Sequence, residues 1–154
     1  MYYEWREIKT WPSTEDGVYQ RFEKGDFKCW VSKWATVGEG ARVGARAKVG
    51  ERATVGEGAT VGARARVGEG ARVGEWARVN VCLTCGPLGS RQAYLHHFPE
   101  LGIFTTGCFY GTEKELLDKV RATHKNGPHA KAYKAAVAGL KALGKAALTQ
   151  REKP

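Results

Sequence analysis

Valine recurs every six residues through the middle of this chain, and this period constrains the fold more than any other feature. The valines occupy positions 31, 37, 43, 49, 55, 61, 67, 73 and 79, and alanine follows four residues later from Ala35 to Ala77. A period of six fits neither an amphipathic helix, with about 3.6 residues per turn, nor an alternating strand, with two. A short fixed period is typical of a solenoid, in which successive repeats stack on one another.

A longer period of eighteen residues is superimposed on the first. The units VGEGAR, VGEGAT and VGEWAR begin at residues 37, 55 and 73, and the units VGARAK and VGARAR begin at residues 43 and 61, so units eighteen residues apart agree at their variable positions. Three units therefore make one coil, and nine units make three coils. In this arrangement one side carries a ladder of glutamates, Glu39, Glu57 and Glu75, and another carries only basic residues, Arg46, Lys48, Arg64 and Arg66.

The pattern V-G-x-x-A-x resembles the hexapeptide repeat of the left-handed β-helix superfamily. The resemblance implies a triangular prism with the valines inside and a left-handed winding. Proteins of this class are commonly trimers, and a lone three-coil prism buries little apolar surface, so we expect a homotrimer.

The flanking sequences predict a mainly β protein with four segments. Residues 1–30 are rich in aromatic side chains and turn residues, and we expect them to form a β cap on the left-handed β-helix of residues 31–84. Residues 85–111 predict a turn and a β-hairpin with strands at 92–98 and 102–106. Residues 112–154 predict two α-helices, at 113–124 and 128–149, the first opened by a capping box of Thr112 and Glu115.

Composition narrows the choice of partner and compartment. The formal net charge of +9 suits an anionic partner. Neither an apolar run of membrane length nor a signal-peptide pattern is present, so we expect a cytoplasmic protein with no membrane partner. The four cysteines do not have the spacing of a disulfide framework, which also favours a reducing compartment.

Acyl transfer is the best-known activity of the resembling class, with acetyl-coenzyme A as the acyl donor and a histidine as the general base. The repeats of this chain contain no histidine, and the only candidates for the base are His97 and His124, downstream of the repeats. We therefore keep acyl transfer as the alternative function, in which acetyl-coenzyme A would be the only cofactor.

A metal site is not expected. The carbonic anhydrases that share this fold need three histidines around zinc, and the repeats contain none. Cys82 and Cys85 have a zinc-like spacing, with Cys108 or a histidine as further candidates, but only one such pair exists.

The favoured function is the binding of an anionic, phosphate-bearing small molecule of nucleotide type. A glycine-rich turn with a hydroxyl and a guanidinium suits a phosphate group, and the next strands offer further donors and an aromatic ring. The candidate ligand-binding residues are Gly89, Ser90, Arg91, Thr105, Thr106, Arg46, Arg64, Arg66, Tyr110 and His124. Nucleic acid is not the expected partner, because a lysine-lined helix is usually a solvated surface.

The second half of the chain resembles small hexapeptide-repeat proteins of phages and prophages. The similar residues are Gly89–Arg91, Thr105–Thr112, His124 and Ala132–Lys134. A phage origin would place the protein in the cytosol of a bacterial host. It would suit a non-catalytic sponge that sequesters a nucleotide-type immune signal, as part of an anti-defence function.

Overall fold

In the computed structural model of this protein, the described residues are 2–107 and 109–152. They form a mainly β structure with three helices, which divides into two compact units, residues 1–82 and 83–154. The first unit contains one four-residue helix, α1 (Trp5–Ile8). Its twelve strands are β1 (Tyr2–Glu4), β2 (Ser13–Asp16), β3 (Tyr19–Lys24), β4 (Phe27–Ser32), β5 (Thr36–Val37), β6 (Arg42–Gly44), β7 (Lys48–Val49), β8 (Thr54–Val55), β9 (Thr60–Val61), β10 (Arg66–Val67), β11 (Arg72–Val73) and β12 (Arg78–Val79).

The repeat strands form three sheets of parallel pairs, and each pair joins residues eighteen apart. The stacks are β4–β7–β10, β5–β8–β11 and β6–β9–β12, so each eighteen-residue coil contributes one strand to each sheet. The predicted stacking is confirmed: Val31 aligns with Val49 and Val67, and the other six valines align in the same way. Of the nine repeat valines, every one except Val37 is at most 2% exposed, as expected for inward-facing side chains.

The chain turns between sheets at the fourth residue of each repeat. From Gly40 to Trp76 this residue has a positive φ: glycine occupies three of these seven corners, and Arg46, Arg52, Arg64 and Trp76 occupy the others. A left-handed conformation costs a residue with a side chain roughly 1–2 kcal/mol. Hydrogen bonds between corners of successive coils offset this cost, for example from the Arg64 amide to the Ala45 carbonyl (2.8 Å).

The N-terminal segment extends the sheets of the coils. Strands β2, β3 and β4 form an antiparallel meander, and β1 pairs antiparallel with β6. Tyr3 contacts the rings of Trp11 and Phe27 edge to face, with centroids 5.0 and 4.9 Å apart. Helix α1, which the sequence did not predict, buries Ile8 completely.

The second unit is a four-stranded antiparallel sheet with two helices. Its elements are β13 (Leu83–Leu88), β14 (Ala93–Phe98), β15 (Ile103–Thr106), β16 (Phe109–Gly111), α2 (Glu113–His124) and α3 (Pro128–Glu152). The predicted hairpin is its central pair, β14 and β15. Residues 85–88 were predicted to lie in a turn, which is wrong, because β13 continues through them and Cys85 and Leu88 pack against the core.

Both helices pack their apolar stripes against the same core. The buried residues of this core are Leu95, Phe104, Leu116, Val120, Ala130, Tyr133, Val137 and Leu140. The predicted capping box is confirmed, since the Glu115 amide donates to the Thr112 hydroxyl and the Thr112 amide donates to the Glu115 carboxylate. None of the helices in the described part of the chain is long and apolar enough to span a membrane.

Gly44, which follows a repeat valine, is expected to be more important for stability than Gly70, which occupies a corner. A Cβ on Gly44 would lie 2.4 Å from the Ala63 amide nitrogen in the next coil, whereas a Cβ on Gly70 would meet nothing within 4 Å. We expect Gly44→Ala to lower the free energy of unfolding by about 3 kcal/mol through overpacking against rigid backbone. Gly70→Ala should cost only about 1 kcal/mol, for its positive φ. Urea unfolding followed by circular dichroism would measure both, and equal losses would contradict the explanation.

Candidate functional site

A cavity of about 290 Å³ lies in the second unit, where the turn after β13, the end of β15 and helices α2 and α3 meet. Its size is close to the lower limit for small-molecule sites. The lining residues are Ser90, Arg91, Ala93, Thr106, Gly107, Phe109, Leu116, Lys119, Val120, Thr123, His124 and Tyr133.

The turn between β13 and β14 forms one wall of this cavity. Gly89 has a φ of +74° and is buried, and a Cβ at this position would lie 2.8 Å from the Tyr133 hydroxyl. The Gln92 side chain donates a hydrogen bond to the Gly89 carbonyl (3.0 Å) and holds the turn closed. The turn thereby places Ser90 and Arg91 at the cavity with their side chains accessible to solvent.

The end of β15 supplies hydrogen-bonding groups to the same cavity. The Thr106 hydroxyl oxygen is buried and has no hydrogen-bond partner among the residues that the structure describes. Gly107 follows with a φ of +52°. An unpaired buried hydroxyl is costly, so a ligand that bonded to Thr106 would relieve that cost.

Helix α2 supplies the opposite wall through a stripe of residues three or four apart. Leu116 and Val120 form its apolar floor, and Lys119, Thr123 and His124 flank the floor. The Lys119 ammonium lies 5.7 Å from the centre of the Phe109 ring, and the His124 ring lies parallel to that of Tyr133, with centroids 6.2 Å apart.

The cavity has a positive lining. Arg91 and Lys119 both line it, and no carboxylate is present in the part of the lining that the structure describes. Unpaired cations beside apolar surface favour an anionic ligand with a flat or apolar portion.

The structure brings together four of the predicted ligand-binding residues: Ser90, Arg91, Thr106 and His124. Gly89 shapes the turn beside them. Thr105 faces the opposite side of its strand from Thr106, and Tyr110, which is 42% exposed, does not line the cavity. Arg46, Arg64 and Arg66 belong to the first unit and do not line this cavity.

Sequence reasoning missed Lys119, Thr123 and the position of Tyr133. The first two could have been found from the sequence, because they lie next to the apolar stripe of α2, three residues after Leu116 and three residues after Val120 respectively. The position of Tyr133 could not be predicted, because its contact with Gly89 joins segments more than forty residues apart.

His97, the other candidate general base, lies outside this cavity. It lines a second cavity of the same unit and stacks on Phe104, with ring centroids 4.1 Å apart. Its Nδ1 donates a hydrogen bond to the Ile103 carbonyl (3.0 Å). Burial lowers the pKa of His97, although this hydrogen bond opposes the shift, so the ring is neutral at pH 7.

The cysteines do not form a metal cluster in the described part of the chain, where no group of three His, Cys, Asp or Glu side chains is placed to hold a metal ion. Burial raises the pKa of the Cys29 thiol to about 12, which makes it unreactive at neutral pH. Cys108, a candidate zinc ligand, lies outside the described residues.

Comparison with known families identifies the repeat. Residues 35–69 match the family model described as bacterial transferase hexapeptide (six repeats), which confirms the hexapeptide repeat over less than a quarter of the chain. This family includes transferases. Searches of curated proteins and of solved structures gave no significant match.

The capping box that positions α2 is open to test. Thr112→Ala removes the hydroxyl that caps the helix, and we expect a loss of about 1 kcal/mol in the free energy of unfolding, whereas Thr112→Ser should retain the cap. Urea unfolding would measure this difference, and an equal loss in both variants would contradict the role of the hydroxyl.

The same cap predicts a pH dependence. Hydrogen bonds donated by the Thr112 amide and hydroxyl lower the pKa of Glu115. Because the folded-state pKa is lowered, the stabilisation is present at neutral pH and is lost as the pH falls through that pKa. Glutamine does not titrate, so the Glu115→Gln variant should not show the part of the decrease in the free energy of unfolding at acid pH that comes from protonation of Glu115.

Proposed function

We propose that this hexapeptide-repeat protein binds a phosphate-bearing, nucleotide-type small molecule in the cavity between the 89–92 turn and helix α2, and that it does so without catalysis. The observation that carries the proposal is the presence of Arg91 and Lys119 in a cavity whose described lining holds no carboxylate. A guanidinium and an ammonium on opposite walls suit a phosphate group between them.

The remaining lining supports a ligand larger than inorganic phosphate. Ser90 and the buried Thr106 hydroxyl offer further hydrogen bonds, and the latter lacks a partner among the described residues. Phe109 and Tyr133 provide aromatic surface against which a base could pack. His124 lies against Tyr133 and could hydrogen-bond a ribose or base.

Sequestration is the proposed use of this binding. The resemblance of the second half to phage and prophage proteins supports a phage-encoded sponge that removes a host immune signal from solution in the host cytosol. Such a protein needs affinity and abundance rather than turnover, so the bound molecule would be released chemically unchanged.

We also propose that the coils wind in a left-handed sense and that three copies assemble side by side. Hexapeptide-repeat proteins commonly form trimers, which supports this assembly. Two charged corners of the coil flank the same sheet, β6–β9–β12: an acidic edge of Glu39, Glu57 and Glu75, and a basic edge of Arg46 and Arg64.

The two edges are complementary in charge, and their charged residues lie at equal levels along the axis on which the coils stack. Glu39 and Arg46 belong to the same coil, as do Glu57 and Arg64, and successive coils are one strand spacing apart, about 4.8 Å. In a ring that closes around this sheet, the acidic edge of one copy would meet the basic edge of the next at equal heights. None of these five side chains forms an ion pair with another described residue. Trp76, 73% exposed and lying over Gly58, would add an apolar anchor.

Isothermal titration against cyclic nucleotides, ADP-ribose and mononucleotides would test the binding site. We expect Arg91→Ala and Lys119→Ala each to weaken binding of the best ligand by about tenfold or more, because each removes a charge-assisted hydrogen bond. Lys131→Ala, on the exposed surface of α3, is the matched control and should bind normally. The absence of binding by every nucleotide would overturn the proposal.

Acyl transfer is the second candidate, favoured by the transferase hexapeptide match and by the position of His124 in a cationic cavity. The same preparations, given acetyl-coenzyme A and candidate amines or hydroxyl compounds, would release coenzyme A only if turnover occurs. A turnover that is abolished in His97→Ala or His124→Ala, with ligand binding retained, would favour the enzyme over the sponge.

Charge exchange would test the assembly. We expect Arg46→Glu with Arg64→Glu to convert the trimer to monomers, since like charges would then face each other across each contact. Combining these changes with Glu39→Arg and Glu57→Arg should restore the trimer. Glu51→Arg with Glu69→Arg, at another corner of the same coils, is the control and should remain trimeric. Sedimentation velocity would distinguish these states, and a trimer that survived the first exchange would contradict this interface.

A further inference from the structure

The second unit contains another cavity, which shares no lining residue with the proposed nucleotide site. Its volume is about 480 Å³. Its apolar lining comes from Pro99, Phe104, Ala142 and Leu148, and its polar lining comes from His97, Glu113, Lys141 and Lys145. An apolar cavity with a few converging polar groups is typical of a small-molecule site.

His97 lines this cavity and carries a hydrogen-bond acceptor whose orientation is fixed. Its side chain is only 5% exposed, and stacking on Phe104 fixes the plane of its ring. A carbonyl can only accept, so the bond to Ile103 requires the proton of the neutral ring to be on Nδ1, which leaves a lone pair on Nε2. The Nε2 atom has no hydrogen-bond partner among the described residues.

The helix that faces His97 packs too closely for the ring to move aside. A Cβ on Gly144 of α3 would lie 3.3 Å from the His97 Cδ2 and 2.8 Å from the Pro99 Cβ. The absence of a side chain at Gly144 therefore allows α3 to approach the ring and hold it in place, so the acceptor is preorganised.

The charged residues of the cavity leave one positive charge unpaired. The Glu113 carboxylate forms an ion pair with the Lys141 ammonium at 2.7 Å. Lys145, one turn further along α3, forms no ion pair with any residue in the described part of the chain. With His97 neutral, the lining carries a net charge of +1, which a single negative group on a ligand would neutralise.

We propose that this second cavity binds a small amphipathic acid: a molecule with an apolar body, one hydroxyl or N–H donor for Nε2 of His97, and one carboxylate for Lys145. The apolar body would lie against Phe104, Pro99 and Leu148. A nucleotide fits this cavity poorly, because its several negative charges exceed the single unpaired cation.

Three matched probes test the proposal on the full-length protein. The probe 4-hydroxyphenylacetate carries both groups, phenylacetate lacks the donor, and 2-(4-hydroxyphenyl)ethanol lacks the carboxylate. Titrations followed by ¹H–¹⁵N NMR should show saturable shifts of residues around His97 and Lys145 for the first probe. Each of the other two probes should bind at least about tenfold more weakly, the loss expected for one missing polar contact.

Two variants test which protein group contacts which polar group of the probe. Lys145→Gln should weaken the binding of 4-hydroxyphenylacetate about tenfold and leave the binding of 2-(4-hydroxyphenyl)ethanol unchanged. The control is Lys134→Gln, elsewhere on the exposed surface of α3, which should change the affinity for neither probe. His97→Phe should remove the preference for the hydroxylated probe over phenylacetate. If His97→Phe does not fold, the lysine variants still decide the result.

Three outcomes would overturn the proposal: equal affinities for the three probes, shifts that map to Arg91 and Lys119 instead, or no saturation up to about 10 mM, where binding is too weak to be specific. Because the two cavities share no residue, failure here would leave the nucleotide proposal standing, and Arg91→Ala should not alter 4-hydroxyphenylacetate binding.

Discussion

The first unit depends on the distance between the backbones of successive coils, which hydrogen-bonded strands hold at about 4.8 Å. At this spacing valine and alanine fill the interior, and the residue after valine has no room for a side chain where it faces the backbone of the next coil, as at Gly44. The corner residue must adopt a positive φ so that the chain can enter the next sheet. Arginine and tryptophan accept this strain at four corners, and their side chains then project from the edges of the coil.

The second unit is organised differently, because its helices pack on a sheet through apolar stripes of limited width. Leu116, Val120, Tyr133 and Leu140 fill the centre of this interface. Beside this core the helices carry polar side chains as well, such as Lys119 on α2 and Lys145 on α3. Both cavities therefore combine apolar lining residues with at least one lysine.

The two cavities differ in how their charges are balanced, and that difference separates the ligands that they suit. In the first, Arg91 and Lys119 face no carboxylate within the described lining, which favours a phosphate. In the second, Glu113 already neutralises Lys141, so only one cation remains. Neither property is a feature of composition: a net charge of +9 suits any anion, and only the local pairing of charges decides which anion fits.

The sequence by itself determined the parts of this protein that repeat or follow local rules. The six-residue period, the eighteen-residue stacking and the capping box at Thr112 were predictable, because each depends on residues at fixed spacing along the chain. Ser90, Arg91, Thr106 and His124 were also named as ligand-binding candidates, but their common cavity was not predictable. Only the tertiary structure decided that Gly89 meets Tyr133, that β13 extends through residues 85–88, and that Glu113 pairs with Lys141. These features depend on where the apolar stripes of the two helices pack on the sheet. No local sequence pattern encodes that packing position.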